Sequence, residues 1–384
     1  MEDQVIEATL YENTIPAFAR ELVDRLHTHL HASLTYHAVY GCLDRSVHTC
    51  VLQENGTPVA ALVFRIEGGQ ACVLSEQCRF APAVIDRFAQ AVFARFPNVR
   101  AVCFTAIQQP AQGPSLPFVA ARRTQDIVAA LPGTVDAYLA RLGKSTRTYV
   151  KRYANKLKRC FPGAAWQTYG GADVEEAQVR AIIEFNRARM AGKYKASYID
   201  EAETQRIMRL VRQCGLVTVM TIDGKVCAGT INYRIGDAAF LQVIAHDPAY
   251  DDYGLGTLCC YFTICACIER GCNAYHFLWG RYEYKYRLLG EQRDLSDLRV
   301  YRSRLQQLLD IRHVLGQHYA DKMYEMKDWM EQHARRADTS SPLEQALFRG
   351  LNALKDAKRT VDRLRMQRAG AGAVLPHGPA ANGS

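Results

Sequence analysis

No stretch of this 384-residue chain is apolar for long enough to cross a bilayer, which takes about 20 residues. The longest apolar run, Leu255 to Ile268, stops at Glu269-Arg270 and reads as a buried core helix. No secretory leader is expected either: Met1-Glu2-Asp3 reads acidic and no apolar stretch follows. The thirteen cysteines are therefore expected to be reduced thiols in a cytoplasmic protein, used as small core residues. Metal-ligand spacing is absent, since Cys259-Cys260 and Cys265-Ala266-Cys267 have no second ligand pair, and no metal is expected. Gly143-Lys144-Ser145 lacks the earlier glycine of a Walker loop, where Tyr138 stands. Gly254-Leu255-Gly256 lacks the third glycine of a dinucleotide fingerprint, where Cys259 stands. With 48% hydrophobic and 23% charged residues, the composition excludes a disordered or fibrous chain.

What is present is a chain long enough for two or three domains, with 48 basic and 39 acidic residues and a net charge of +9. That balance suits a phosphate-bearing partner without requiring one. Helical spacing covers 14–34, through Ile15, Phe18, Leu22, Leu26 and Leu30. Two strand-like runs, Thr49 to Gln53 and Pro58 to Ile66, flank Asn55-Gly56, a strong hairpin signal. A third strand, Ala71 to Leu74, precedes a helix over 82–95 and a strand from Val99 to Thr105.

The same series returns later. Leu216 to Ile222 and Val226 to Ile235 flank Asp223-Gly224; a strand from Ala239 to Ala245, a helix over 257–270 and a strand from Ala274 to Trp279 follow. Asn55-Gly56 overlies Asp223-Gly224, and Val59-Ala60-Ala61 overlies Cys227-Ala228-Gly229 at the same offset. The series predicts a tandem repeat of one α/β module. The expected layout is a first module over 1–130, a basic linker helix over 131–160 and a second module over 161–301. A helical extension over 302–365, suited to self-association into an oligomer, and a disordered Gly/Ala/Pro tail over 366–384 complete it.

Three segments carry candidate chemistry. Gly254-Leu255-Gly256-Thr257 opens a helix, whose first N–H groups and dipole attract an anion such as a pyrophosphate. Past the last strand of the repeat, Gly280 to Gly290 alternates tyrosine with charge and reads as a polar pocket rim. There Lys285 can neutralise an oxyanion and a tyrosine, Tyr284 or Tyr286, can protonate a leaving thiolate. The third is a basic segment holding Arg141, Lys144, Arg147, Lys151, Arg152, Lys156, Lys158 and Arg159, with no acid between Asp136 and Asp173. It reads as an anion site for a CoA 3′-phosphate, a nucleotide-sugar or a tRNA backbone, or as a solvated face.

The order Ala245-His246-Asp247-Pro248, Gly254-Leu255-Gly256-Thr257, Ile268-Glu269-Arg270-Gly271, then Phe277-Leu278-Trp279-Gly280 with Tyr284-Lys285-Tyr286-Arg287, resembles the BioF2-like (CelD/BcsL) branch of the GNAT acetyltransferase superfamily. Leu142-Gly143-Lys144-Ser145-Thr146-Arg147 is similar to another segment of that family. The resemblance covers about 135–290 and implies a mixed-sheet α/β fold of tandem GNAT-like modules, a layout shared with the FemABX transferases. The first module, without a glycine loop before its helix, is expected to be degenerate.

The resemblance implies acyl transfer from acetyl-CoA or another acyl-CoA to an amine-bearing small molecule or sugar, in exopolysaccharide, cellulose or envelope synthesis. Gly254, Leu255, Gly256, Thr257, Val243, Ile244 and Arg287 would bind the donor. Arg187, Arg189, Tyr194, Lys144 and Arg147 would bind the acceptor. Lys285, matching a FemABX lysine, would act with Tyr284 and Tyr286, and Glu283, His246 and His276 are candidate bases. Asp251 stands where the usual GNAT loop has Gln or Arg, and Asp252 follows. The alternatives are a FemABX-like transferase using aminoacyl-tRNA and an inactive module serving as a scaffold.

Overall fold

The structure, a computed structural model, describes residues 6–108, 112–192 and 197–336. Its first half runs β1 (Ile6–Tyr11), α1 (Ala17–Leu26), α2 (Leu34–Val39), β2 (Val47–Glu54), β3 (Thr57–Glu67), β4 (Gln70–Val73), α3 (Pro82–Arg95) and β5 (Ala101–Ile107). Then come β6 (Phe118–Ala130), α4 (Val135–Arg141), α5 (Lys144–Cys160), β7 (Ala165–Gly170), α6 (Glu176–Gly192) and α7 (Glu201–Cys214). The second half continues with β8 (Gly215–Ile222), β9 (Lys225–Ile235), β10 (Ala238–His246), α8 (Leu255–Glu269), β11 (Ala274–His276), α9 (Glu283–Arg287) and β12 (Glu291–Tyr301). Helices α10 (Arg304–Leu309) and α11 (Ile311–Arg336) end the described chain. The remainder of the expected helical extension and the expected tail lie outside the described residues.

The strands form one sheet in the order β1-β2-β3-β4-β5-β12-β6-β11-β10-β9-β8-β7. From either edge inward the pattern is the same. Three antiparallel pairings lead to one parallel pair, β4 with β5 or β10 with β11. A parallel pair needs a crossover, and α3 and α8 supply it. The halves then exchange their last strands. β6 follows β5 in sequence but pairs with β11, and β12 follows β11 but pairs with β5. β6 and β12 pair with each other at the centre.

Both hairpin turns have left-handed central residues, Asn55 and Gly56 at φ +50° and +77°, Asp223 and Gly224 at +51° and +78°. That is the turn whose twist matches flanking strands, and it is why both sites carry Asn/Asp-Gly. Apolar faces of α3 and α1 close opposite sides of the first half, and α8 with α4 and α5 covers one face of the second. Helices α6 and α7 cover its other face, bringing Ile182, Ile183, Ile207 and Val211 onto Val217, Val219 and Ile231. Each such side chain, fully buried, contributes about 1.5–3 kcal/mol.

Three expectations change. The helix over 14–34 is α1, a 3-10 turn at Leu30–Ala32 and α2, because the chain around His27 turns inward: His27 Nε2 accepts the Ala61 N–H at 3.3 Å. The basic helix is two helices, α4 and α5. Leu142, buried, and Gly143 are extended at the break, and Arg147 donates to Ala140 O at 3.0 Å to cap α4. The strand from Ala274 stops at His276 because the chain turns aside there, with Leu278 at φ +55°.

Candidate functional site

Past Phe240 the two parallel strands of the second half part. β11 pairs with β10 only over Ala274–His276 against Ala238–Phe240. Beyond His276 the chain leans onto β6 instead: the Phe277 N–H donates to Ile127 O at 2.8 Å and the Ile127 N–H to Leu278 O at 3.3 Å. β10 runs on to His246 with β9 on its other side. Among the described residues no strand covers the freed edge. Such an edge offers alternating N–H and C=O groups to an extended amide-bearing ligand. A bulge at the parting point, between Leu241 and Val243, re-aims the backbone around Gln242. In the first half the matching gap is filled by the chain itself. The Gln77 N–H donates to Ala106 O and the Gln108 N–H to Cys78 O, both at 2.9 Å.

The open edge, with Val243 and Ile244 on it, leads through a 3-10 turn at Pro248–Tyr253 into α8. Gly254 is the N-cap in the left-handed region, φ +60°, and no side chain caps the helix. The N–H groups of Leu255, Gly256 and Thr257 precede the first intrahelical bond, so they and the dipole could receive an anion. A Cβ at Gly256 would make only ordinary contacts, 3.6 Å to His246 Nδ1 and 3.9 Å to Ile244. One at Gly254 would strike the Tyr149 hydroxyl.

Tyr149, Tyr153 and Lys156, one face of α5, lie against this helix start. Lys156 Nζ donates to Asp252 O at 3.1 Å and sits 4.6 Å from the Tyr253 ring centre. Lys144, Arg147, Lys151 and Lys158 are exposed. Asp251 is engaged by His246, Nε2 to Oδ1 at 2.9 Å, which places His246 at the helix start and not at the parting point.

The polar segment after β11 is not an open rim. Its residues 283–287 form α9, and Lys285 is 2% exposed. Its Nζ donates to the carbonyls of Phe277, Leu278 and Trp279 at 2.8, 3.3 and 2.6 Å. Burial pushes this ammonium down to about 8, against a smaller opposing pull from Asp126. Three carbonyls match three ammonium hydrogens, so any oxyanion contact requires Lys285 to release one of them.

Tyr284 is half-buried, packs edge-on to Phe277, and is raised above the usual phenol range, mainly by burial. Tyr286 donates to Gln292 Oε1 at 3.3 Å. Glu283 and Arg287 pair with each other at 2.6 Å on the exposed side of α9.

Arg187 joins α6 to the start of α7 through Ile199 O at 2.9 Å and the Thr204 hydroxyl at 3.0 Å. Arg189 lies within electrostatic reach of Tyr284 and Tyr198, with its buried Nε lacking a partner. Tyr194 lies outside the described residues. The candidates thus fall into two groups. Val243, Ile244, His246 and Gly254–Thr257 share one line from strand to helix, while Lys285, Tyr284 and Arg189 lie near the parting point.

Sequence reasoning passed over Asp126 and His29. His276 Nδ1 lies 2.6 Å from Asp126 Oδ2, and His29 Nε2 lies 3.9 Å from the same oxygen. All three residues are buried. The alternation His27-Thr28-His29-Leu30-His31 was the available signal for one member; a lone acid in a strand gave none for Asp126.

Comparison with known proteins fits this geometry. Residues 144–286, which contain α5, the open edge, the α8 start and most of α9, match the family model of the acetyltransferase (GNAT) domain. A search of curated proteins finds no match. Among solved structures, FemX aligns with a TM-score of 0.58 at 9% identity, over 79% of this chain and 100% of FemX. A conserved protein of unknown function from Bacteroides thetaiotaomicron VPI-5482 aligns with a TM-score of 0.51 at 11% identity, over 75% of this chain and 98% of that one. At such identities these likenesses bear on the fold alone. The chain has a mixed α/β fold whose two halves repeat one strand order, and its residues 144–286 match the model of the GNAT acetyltransferase domain.

Proposed function

We propose that this protein is an acyl-CoA-dependent N-acyltransferase whose second half holds the donor. The observation that carries the reading is the open β10 edge running from the bulge at Gln242 into the uncapped start of α8. A CoA thioester has the matching parts in the matching order: an acyl group, an arm with two amides, and a pyrophosphate. The pyrophosphate would lie on the N–H groups of Leu255–Thr257, with Lys156 alongside. The arm would continue the sheet along Val243–Ala245, and the thioester would reach the parting point at Phe240 and His276.

There an amine adds to the thioester carbon, the C–N bond forms, and the carbonyl oxygen becomes an oxyanion. Backbone N–H groups at the bulge meet that charge, and Lys285 joins them if it releases a carbonyl. The amine nitrogen gives up a proton, and collapse breaks the C–S bond and expels CoA thiolate, which takes up a proton through a tyrosine or water. The acceptor would enter past Arg189 and Tyr198. The resemblance to the BioF2-like branch suggests an amino sugar or small amine of envelope polysaccharide synthesis.

The exposed cations of α5 favour a second reading, transfer from aminoacyl-tRNA. Thermal unfolding with acetyl-CoA, a long-chain acyl-CoA or tRNA separates the two. A ligand at 100 times its Kd adds about 2.7 kcal/mol of stability. Stabilisation by an acyl-CoA supports the proposal; stabilisation by tRNA alone overturns it. If tRNA binds, its affinity should fall by roughly 0.7–0.9 log units per phosphate contact for each decade of salt.

A further inference from the structure

The two halves meet at the parting point through one buried cluster. His276, the last residue of β11, sits opposite Phe240 in the ladder and stacks on its ring at 4.5 Å. Asp126 comes from β6, the strand the first half lends to the second. His29 comes from the loop after α1 and meets both Phe240 and His276 edge-on, at 4.7 and 5.0 Å. Asp126 Oδ1 and His29 Nε2 are buried without a hydrogen-bond partner. Burying an orphaned polar atom is costly, so their placement calls for a reason other than packing.

The hydrogen bonds determine where the protons lie. An ionised carboxylate only accepts, so the 2.6 Å contact puts a proton on His276 Nδ1 and leaves the lone pair on Nε2. Burial alone would raise Asp126, but the imidazoles of His276 and His29 together outweigh it and hold the carboxyl below its usual range. His29 Nδ1 accepts the His31 N–H at 3.3 Å, so the neutral ring carries its proton on Nε2, facing Asp126. Burial keeps that ring neutral by lowering it to about 4.

The same three side chains have the composition of a metal site. A proton on His29 Nε2, required by the His31 amide, blocks coordination there. The arrangement instead resembles a base whose tautomer is fixed by a carboxylate, with a second imidazole holding that carboxylate in charge.

We propose that His276 is the general base of the acyl transfer, with Asp126 and His29 as its positioning residues. This rests on the reading of the site as an acyl-CoA transferase. His276 Nε2 takes the proton from the attacking amine nitrogen as the C–N bond forms. The resulting imidazolium is neutralised by Asp126 and passes the proton to the departing thiolate or to water. The first half of the chain thus contributes to catalysis without binding a donor: it supplies the carboxylate and the second imidazole. Among the described residues, Asp126 from β6 and His29 and His31 from the first half face the base, and Lys285 from α9 faces Asp126.

Two measurements on the full chain test this. Nitrogen-15 NMR of labelled histidines should show His276 protonated at Nδ1, with a far-downfield proton that moves in Asp126→Asn and disappears in His276→Gln. A His276 ring protonated at Nε2 instead, or a metal ion bound stoichiometrically to the purified protein, would overturn the proposal.

The second measurement is carbethoxylation of His276 by diethyl pyrocarbonate, followed by peptide mass spectrometry with and without acetyl-CoA. Acetyl-CoA should slow modification of His276 at least tenfold. Thermal stabilisation by acetyl-CoA with unchanged His276 reactivity would reject the base and leave the donor reading standing. Absence of stabilisation by any acyl-CoA would reject the donor reading itself.

Discussion

Lys285 shows how a chemically suggestive residue acquires its setting only in the fold. A lysine among tyrosines after a buried strand was legible as unusual; the carbonyls of Phe277, Leu278 and Trp279 around its ammonium were not, because the strand ends where that loop begins. Lys285→Met would leave those buried acceptors without their donor, at a cost of about 1–3 kcal/mol. Urea denaturation should register that loss. If Lys285 also meets the oxyanion, kcat should fall roughly 10²–10³-fold with little change in KM for acyl-CoA. A raised KM at normal kcat would instead assign it to a phosphate. Asp126 lay beyond sequence reasoning for a simpler reason. Its partner His276 is 150 residues away, and one acid in one strand makes no pattern.

At the scale of elements, the α8 start was the most readable feature, because Gly-x-Gly before an apolar helix states a backbone requirement directly. The structure divides the two glycines. Gly254 needs its left-handed φ of +60° and its bare Cα under Tyr149, whereas Gly256 has room for a Cβ. Gly254→Ala should therefore destabilise the protein by about 1–2 kcal/mol from backbone strain alone. The same substitution at Gly256 should be neutral or slightly stabilising, because alanine is the better helix former. Chemical denaturation of the two variants checks the contrast, and equal effects would contradict it. The break at Leu142-Gly143 escaped notice because extended backbone at a leucine has no local signature; burial of that leucine enforces it.

For the whole molecule, the tandem order was legible from two Asn/Asp-Gly hairpins at nearly constant offset. The strand exchange between halves was not, since β6 and β12 are defined by partners distant in sequence. Four histidines around the α1–α2 connection are buried, and that has a pH consequence. Burial lowers His27, His29 and His37 to about 4 and His31 to about 3, from 6.5. Above pH 6.5 these rings are neutral folded or unfolded and impose no penalty. As pH falls below 6.5 the unfolded chain takes up protons that the folded chain refuses, so stability falls until the folded values are reached. Within that window four such groups give a slope approaching about 5 kcal/mol per pH unit. Denaturant midpoints at pH 7.5, 6 and 5 should drop steeply; a flat profile would show that these rings are not sealed from water.

The central claim is that acyl-CoA lies along the β10 edge with its pyrophosphate on the α8 start. The most direct test is calorimetric titration of acetyl-CoA into the wild-type chain and into Gly256→Val. A Cβ there meets only ordinary contacts in the fold, while the two methyls of a valine would crowd the first-turn N–H groups. The account predicts saturable binding to wild type, and binding weakened at least tenfold in a variant that melts within a few degrees of it. Equal affinity in the two proteins, or no binding by wild type, would contradict it.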